Sequence, residues 1–258
     1  MTEGTGDDMM DWQPVLLSLK IAAMSLAGVA VAGIGAAYLL TRRDFPGKNL
    51  CETLLTLPLV LPPIVTGFLL LVLVGRQGPI GKLLNQLGGF QIVFTPFAAV
   101  LAAAAVAFPL MYQSAKAALQ GVNHHLEDAA RTLGAGEWKV FRTVTLPLAR
   151  QGIYSGMVLA FSRALGEFGA TAMVAGNIPG RTQTIPVAIY FASESNDLTT
   201  AGLYVLIISV LTFGMVYGVN HWLNKSFGKW ARRRWRVRSG HWEGIAGVSA
   251  SSGVQSGK

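Results

Sequence analysis

Charge is scarce in this sequence. Only 13% of its 258 residues are Asp, Glu, Lys or Arg, about half the roughly 25% of an ordinary soluble domain. Cys51 is the sole cysteine, which excludes an intrachain disulfide. The four histidines are His124, His125, His221 and His241. They form no H-E-x-x-H or Ser/His/Asp arrangement, so neither a metal centre nor a hydrolytic triad is expected, and no catalytic residue or cofactor is assigned. No G-x-x-x-x-G-K-[ST] phosphate loop occurs, so the chain is not expected to hydrolyse ATP. No internal repeat is visible. Nor does the start read as a cleaved signal peptide: residues 1–11 carry Glu3, Asp7, Asp8 and Asp11 and no base, and the apolar run that follows is too long for an h-region.

Apolar residues, in contrast, make up 52% of the chain and come in long blocks. A membrane-crossing helix needs roughly 20 consecutive apolar residues. The blocks at 14–40, 50–74, 93–115, 151–175 and 201–223 meet that length. The expected fold is therefore an all-α integral membrane protein with five spans. "TIPVAIYFAS" (184–193) is too short to cross and reads as an outer interfacial helix, or else as a sixth, short or re-entrant span.

The net charge of +8 follows the positive-inside rule. With the N-terminus outside, the inner segments hold Arg42, Arg43 and Lys48, then Lys116, Arg131, Lys139, Arg142 and Arg150, then the tail from Lys225 onward. The acidic start, 1–12, stays outside. The membrane-spanning body is 13–223, with a polar loop at 123–150. The tail, 224–258, is cytoplasmic. Its "KWARRRWRVR" is a membrane anchor against anionic lipid, with Trp230 and Trp235 at headgroup level, and not a nucleic-acid patch. Its small polar end, "GIAGVSASSGVQSGK", is expected to be disordered.

Within the spans, Pro58, Pro62 and Pro63 lack backbone donors, so the second span must kink or break. That bend either lines a path or fits neighbouring helices, since freed carbonyls need protein or water to cover them. Arg163 and Glu167 stand four apart on one helical face and can pair. Ionisable groups within a span face a bundle interior or an aqueous path, so the pair either meets a translocated anion or locks helices together. Pro62, Pro63, Arg163 and Glu167 are the candidate path residues. Gly152 and Gly156, and Gly214 and Gly218, have small-xxx-small spacing, which suits close helix packing or a dimer contact. Glu52 is the other intramembrane acid, and a secondary transporter would have to use it or Glu167.

The central segment, "EDAARTLGAGEWKVFRTVTLP" (127–147), is polar. Asn123 suits a helix N-cap, and Leu126, Ala129, Ala130 and Leu133 fall on one stripe. Gly134 can end that helix in a left-handed conformation. "EWKVFRTV" reads as a second short helix, and Pro147 as the start of the return into the membrane. The exposed apolar stripe calls for a partner.

This segment resembles the cytoplasmic loop of ABC importer permeases, written EAA, three residues, G, nine residues, I, one residue, LP. Here it reads Asp128-Ala129-Ala130, three residues, Gly134, nine residues, Val144, Thr145, Leu146-Pro147, with Glu127 beside the Asp. Asp replaces Glu and Val replaces Ile. "LTLPLVLPPIVTGFLLL", "GVNHHLEDAARTLGAGEWKVFRTVTLPLA" and "FSRALGEFGATAMVAGNIPGRTQTIPVAIY" resemble the molybdate importer permeases of the molybdate/sulfate group, over most of 13–223. The ending "GNIPGRTQTIP" favours molybdate over sulfate, and no residue excludes tungstate. The resemblance implies a homodimer in the bacterial inner membrane, a separate cytoplasmic ATP-binding subunit, a substrate-binding protein on the outer side, and alternating access driven by ATP. Glu127, Asp128, Ala129, Ala130, Gly134, Val144, Leu146 and Pro147 are then the residues that couple the chain to its ATPase.

Overall fold

The computed structural model describes residues 11–218 and His221. Residues 1–10 of the acidic start and the whole basic tail, with Trp230 and Trp235, lie outside the described residues. The chain divides into two compact units, Met1–Thr212 and Phe213–Lys258. Among the described residues every regular element is a helix and none is a strand.

The core of the first unit is a pair of long helices, α1 (Gln13–Arg42) and α5 (Pro96–Gln120). At 1.5 Å per residue, the 30 residues of α1 span about 45 Å, enough to cross a bilayer and emerge from it. Its buried face, from Val15 through Ser18, Ala22, Ser25, Val29, Gly33 and Ala37 to Leu40, recurs every three or four residues, one stripe along a 3.6-residue helix. Thr95 caps α5 by accepting from the Ala98 N–H at 3.3 Å, and Pro96 sits in the first turn, where its missing donor costs nothing. Ala98, Ala99, Ala102, Ala103, Ala107 and Ala115 of α5 are all buried. Such small side chains let neighbouring backbones come close, which is how membrane helices associate without a hydrophobic driving force. Ser25 Oγ donates to the Val100 carbonyl at 2.9 Å, satisfying a hydroxyl that water cannot reach.

The second expected span breaks at its prolines, one of the two outcomes their missing donors predict. It is two helices, α2 (Lys48–Val60) and α3 (Pro63–Val74), that turn by 119° at the break. Pro62 and Pro63 supply no donors there and force Leu61 into an extended conformation. Pro58 stays inside α2. Each half, at about 20 Å or less, is too short to cross alone. Helix α4 (Pro79–Gly88) follows as a short surface element.

The polar loop holds α6 (His124–Thr132) and α7 (Glu137–Val140). Here an expectation needs correction. "EWKVFRTV" is not a separate helix ended by Pro147: α7, a π-helical turn (Phe141–Thr145) and α8 (Leu146–Leu165) run on as one helix from Glu137 to Leu165. Pro147 lacks an N–H and its ring crowds the carbonyl four residues back. The widened turn, in which the Leu146 N–H reaches back to the Phe141 carbonyl, absorbs that defect without a break.

Helix α8 packs on α5 through the predicted glycine pair. A methyl added at Gly152 would stand 2.6 Å from Ala118 Cβ, and one at Gly156 would stand 2.5 Å from Ser114 Cβ. Gly214 and Gly218 have nothing within 4 Å of such a methyl. After a 59° bend comes α9 (Gly169–Ala175), then α10 (Ile185–Glu194), which at 10 residues is too short to be a sixth span. Helix α11 (Leu198–Gly218) follows. Among the described residues α1, α5 and α11 are long and apolar enough to cross a membrane, and counting each bent pair as one crossing makes five.

Candidate functional site

The polar loop builds upward from its caps. The Asn123 side chain accepts from the His125 N–H at 3.0 Å, so the predicted N-cap is in place. At the other end Gly134 has φ +82°. Its N–H reaches the Arg131 carbonyl at 2.9 Å, and the Ala135 N–H reaches the Ala130 carbonyl at 3.1 Å. These two bonds are the Schellman pair, which closes a helix only when the turning residue is left-handed.

The two ends aim α6 so that its apolar residues stay uncovered. Leu126 is 50% exposed and Leu133 is 88% exposed, and Trp138, at the start of α7, is 70% exposed. Ala129 lies between the two leucines and is also exposed, while Ala130 is half-buried. Val140 and Phe141 turn inward, and the Phe141 ring packs against Tyr38 of α1 with centroids 4.4 Å apart. Val144 and Leu146 are half-buried and Pro147 is exposed. An uncovered apolar face of this kind marks an interaction surface.

The adjacent acids Glu127 and Asp128 part company in the fold. The Asp128 side chain is 64% exposed and takes Arg131 at 2.7 Å. Arg131 also donates from Nε to Glu137 Oε1 at 2.7 Å. The hydrogen bonds from Glu137 and Asp128 hold the Arg131 guanidinium above its ordinary range, and Arg131 in turn holds Glu137 below the usual carboxylate range. Glu127, by contrast, is a fully buried polar residue of the loop. Its Oε1 accepts from Arg42 at the end of α1 and from the Thr145 hydroxyl, the latter at 2.5 Å. Its Oε2 lies 3.4 Å from His124 Nδ1. Burial pushes the Glu127 carboxyl up, and the bonds from Thr145, Arg42 and His124 outweigh it, leaving the group below the ordinary glutamate value.

The candidate path residues gather around the two broken helices. Arg163 Nη1 donates to Glu167 Oε2 at 2.7 Å, with the Glu167 side chain only 1% exposed. Glu167 Oε1 also accepts from the Ala170 N–H at 2.8 Å. The carboxylate thus caps the first turn of α9 while its partner sits on α8, and the pair spans the 59° bend. The breaks themselves touch: a methyl at Gly169 would stand 3.2 Å from Pro63 Cβ, and one at Gly67 would stand 2.7 Å from Ala170 Cα. Pro63, half-buried, therefore lies beside the start of α9, while Pro62 is exposed. No group of three or more His, Cys, Asp or Glu side chains is placed to hold a metal among the described residues.

Residues 29–227 match the family described as "Binding-protein-dependent transport system inner membrane component". The chain belongs to this family. The permease is 48% identical over 213 residues to the molybdenum transport system permease protein ModB of Escherichia coli (strain K12), covering 83% of this chain and 93% of that one. It is 43% identical over 224 residues to the protein of the same name from Haemophilus influenzae, covering 85% and 96%. Sulfate permease 2 of Chlamydomonas reinhardtii is 37% identical over 201 residues, covering 78% of the permease and 54% of that protein. Among solved structures, an inward-facing MetNI methionine ABC transporter chain superimposes with a TM-score of 0.62 at 17% identity, covering 85% and 99%. A bacterial alginate ABC transporter chain superimposes with a TM-score of 0.68 at 15% identity, covering 85% and 80%. These two share the fold.

The permease is thus a multi-pass inner-membrane transport subunit of a system whose ATPase and binding protein are separate chains. Sequence reasoning missed Arg42, Thr145 and Arg131 as partners of the loop acids, and Lys116, which pairs with Glu52 at 2.6 Å. A run of two bases ahead of a turn, "TRRDFPG", hinted at surface charge, but nothing in it pointed to an acid 85 positions on.

Proposed function

We propose that the permease forms the membrane path of a molybdate importer, as a homodimer, with its N-terminus outside and its C-terminus in the cytoplasm. The observation that carries this reading is the loop at 123–150. A left-handed Gly134 turns a short capped helix so that Leu126, Leu133 and Trp138 stand uncovered, at the spacing expected of an ATPase-docking element. Asp128, Ala129 and Trp138 belong to the docking face, while Val144, Leu146 and Pro147 carry the chain from it into α8. Five crossings barely surround a path, and two copies enclose one.

Molybdate is favoured over sulfate because the relatives named for molybdenum are 43–48% identical and the sulfate permease is 37% identical. In the mechanism, ATP hydrolysed on the partner displaces the docked loop. The paired breaks at Pro62–Pro63 and at Glu167–Gly169 allow α3 and α9 to swing against α2 and α8. Arg163 would offer a cation beside that joint, with Glu167 preventing a bare charge in the bilayer. Neutralising Arg163 alone should then reduce uptake more than neutralising Arg163 and Glu167 together, because a lone buried charge is the costlier state.

The test is uptake of labelled molybdate by vesicles holding the permease with its ATPase and binding protein. Saturable, ATP-dependent molybdate uptake that excess sulfate fails to compete supports the reading. Uptake dominated by sulfate moves the assignment to the sulfate branch of the group, and ATP hydrolysis by the purified permease alone removes it.

A further inference from the structure

Glu127 occupies an odd place for a docking residue. Leu126, Asp128, Leu133 and Trp138 around it are exposed, yet its own side chain is 1% exposed. Its carboxylate is the meeting point of three elements. Arg42 reaches it from the last residue of α1. Thr145 reaches it from the π turn that opens α8, at 2.5 Å. His124 and Arg131 lie on α6 itself, at 3.4 Å and 4.0 Å. Arg42 Nη2 also stands 3.5 Å from Thr145 Oγ1, which closes the triangle.

The surroundings explain why such a joint matters. Helix α6 has nine residues and is flanked by turns containing Gly121 and Gly134. A short helix between two glycine turns pivots unless something ties it down. An apolar contact would secure it at least as stably, since a buried ion pair is weak evidence for stability. What the carboxylate adds is direction: Oε1 accepts from both Arg42 and Thr145, so α1 and the start of α8 converge on one atom, while Oε2 faces His124 and Arg131 of α6 itself.

We infer that Glu127 is a positioning residue that makes no contact with the ATPase and hands displacement of the docked loop to α1 through Arg42 and to α8 through Thr145. This rests on the reading of the loop as the ATPase-coupling element. In that division of labour Asp128 is the acid that faces the partner, and Glu127 faces the spans.

The test uses the whole complex reconstituted with loaded binding protein, comparing wild type with Glu127→Gln, Arg42→Gln and the paired Arg42→Met/Glu127→Met. Three quantities are read: ATPase retained on purification, ATP hydrolysed, and molybdate taken up per ATP. The single variants should keep the ATPase and go on hydrolysing ATP, while uptake per ATP falls about tenfold or more, in the range of ordinary coupling energies. The paired variant strands no charge, so it should restore any lost membrane abundance without restoring uptake per ATP. If Glu127→Gln loses the ATPase while uptake per ATP stays normal in what remains, Glu127 is a contact residue and the inference is overturned. Restoration of uptake per ATP by the paired variant reduces the role to stability and overturns it equally. Wild-type permease that fails to retain any ATPase removes the coupling reading itself, and the inference with it.

Discussion

Replacing Gly134 isolates a single physical term. A methyl built there meets nothing within 4 Å, so no clash contributes. The whole penalty is conformational, because φ is +82° and an L-residue in the left-handed region costs roughly 1–2 kcal/mol. The two Schellman bonds at 2.9 and 3.1 Å exist only in that conformation. Gly134→Ala should therefore shift the local equilibrium from the capped to the opened turn by a factor of about 5–30. A partner that docks on the capped form alone loses apparent affinity by the fraction no longer competent, so ATPase affinity should fall by up to that same factor. Global stability of a domain, at about 5–15 kcal/mol, survives such a loss, and membrane abundance should stay near normal. Gly134→Asn is the control, since Asn tolerates the left-handed region better than other non-glycine residues, and its loss should be smaller. The measurement is a titration of purified ATPase onto detergent-held permease, beside an immunoblot of the membrane fraction. Equal affinity for the Gly, Asn and Ala forms would refute the argument that the turn sets the docking geometry. Disappearance of the Ala form from the membrane would refute the claim that the cost is local.

Leu133→Ala and Trp138→Ala remove side chains that are 88% and 70% exposed, so the permease should keep its stability. If the residues are interface anchors worth about 2 kcal/mol each, each change weakens ATPase binding about 30-fold; unaltered binding in both places the docking face elsewhere. Gly67→Ala puts a methyl 2.7 Å from Ala170 Cα and 2.9 Å from Met173 Cβ, an overpacking of roughly 1–3 kcal/mol, and the Tm in detergent should drop; an unchanged Tm means α3 and α9 are not in close contact. Acidification tests the Glu127 joint. Its carboxyl sits below the ordinary 4.5 in the fold, so its contribution is fully present above that value and is lost as the pH falls through the native pKa. Hydrogen exchange at α6, corrected for intrinsic rates, should hold steady from neutral pH down to about 4.5 and rise only below it; a rise that begins nearer neutrality refutes this account of the joint.

Much of this protein was legible in one dimension, and for reasons of range. Whether a block crosses a membrane depends on its own length and polarity, so the blocks at 14–40 and 93–115 correspond to α1 and α5. Asn123 as a cap and Gly134 as a left-handed turn depend on backbone groups two to five residues away, and both stand as expected. The Arg163–Glu167 pair needs only the helical repeat to bring its members together. The small-residue pair Gly152 and Gly156 announced close packing, though not that Ala118 and Ser114 of α5 receive it.

The tertiary structure decided what lies beyond that range. A proline pair tells a reader that a helix fails, but the 119° turn at Pro62–Pro63 depends on where α9 offers Gly169 for the chain to lean against. Pro147 looked like a boundary because a straight α-helix cannot hold it, and the π turn that accommodates it is set by burial of Phe141 against Tyr38 and of Thr145 beside Glu127. Glu127 and Asp128 are adjacent acids on a polar helix, equivalent by any local rule. Only the arrival of Arg42, 85 residues earlier in the chain, makes one of them a buried joint and leaves the other exposed. That separation comes from helix packing in three dimensions, which no local spacing encodes.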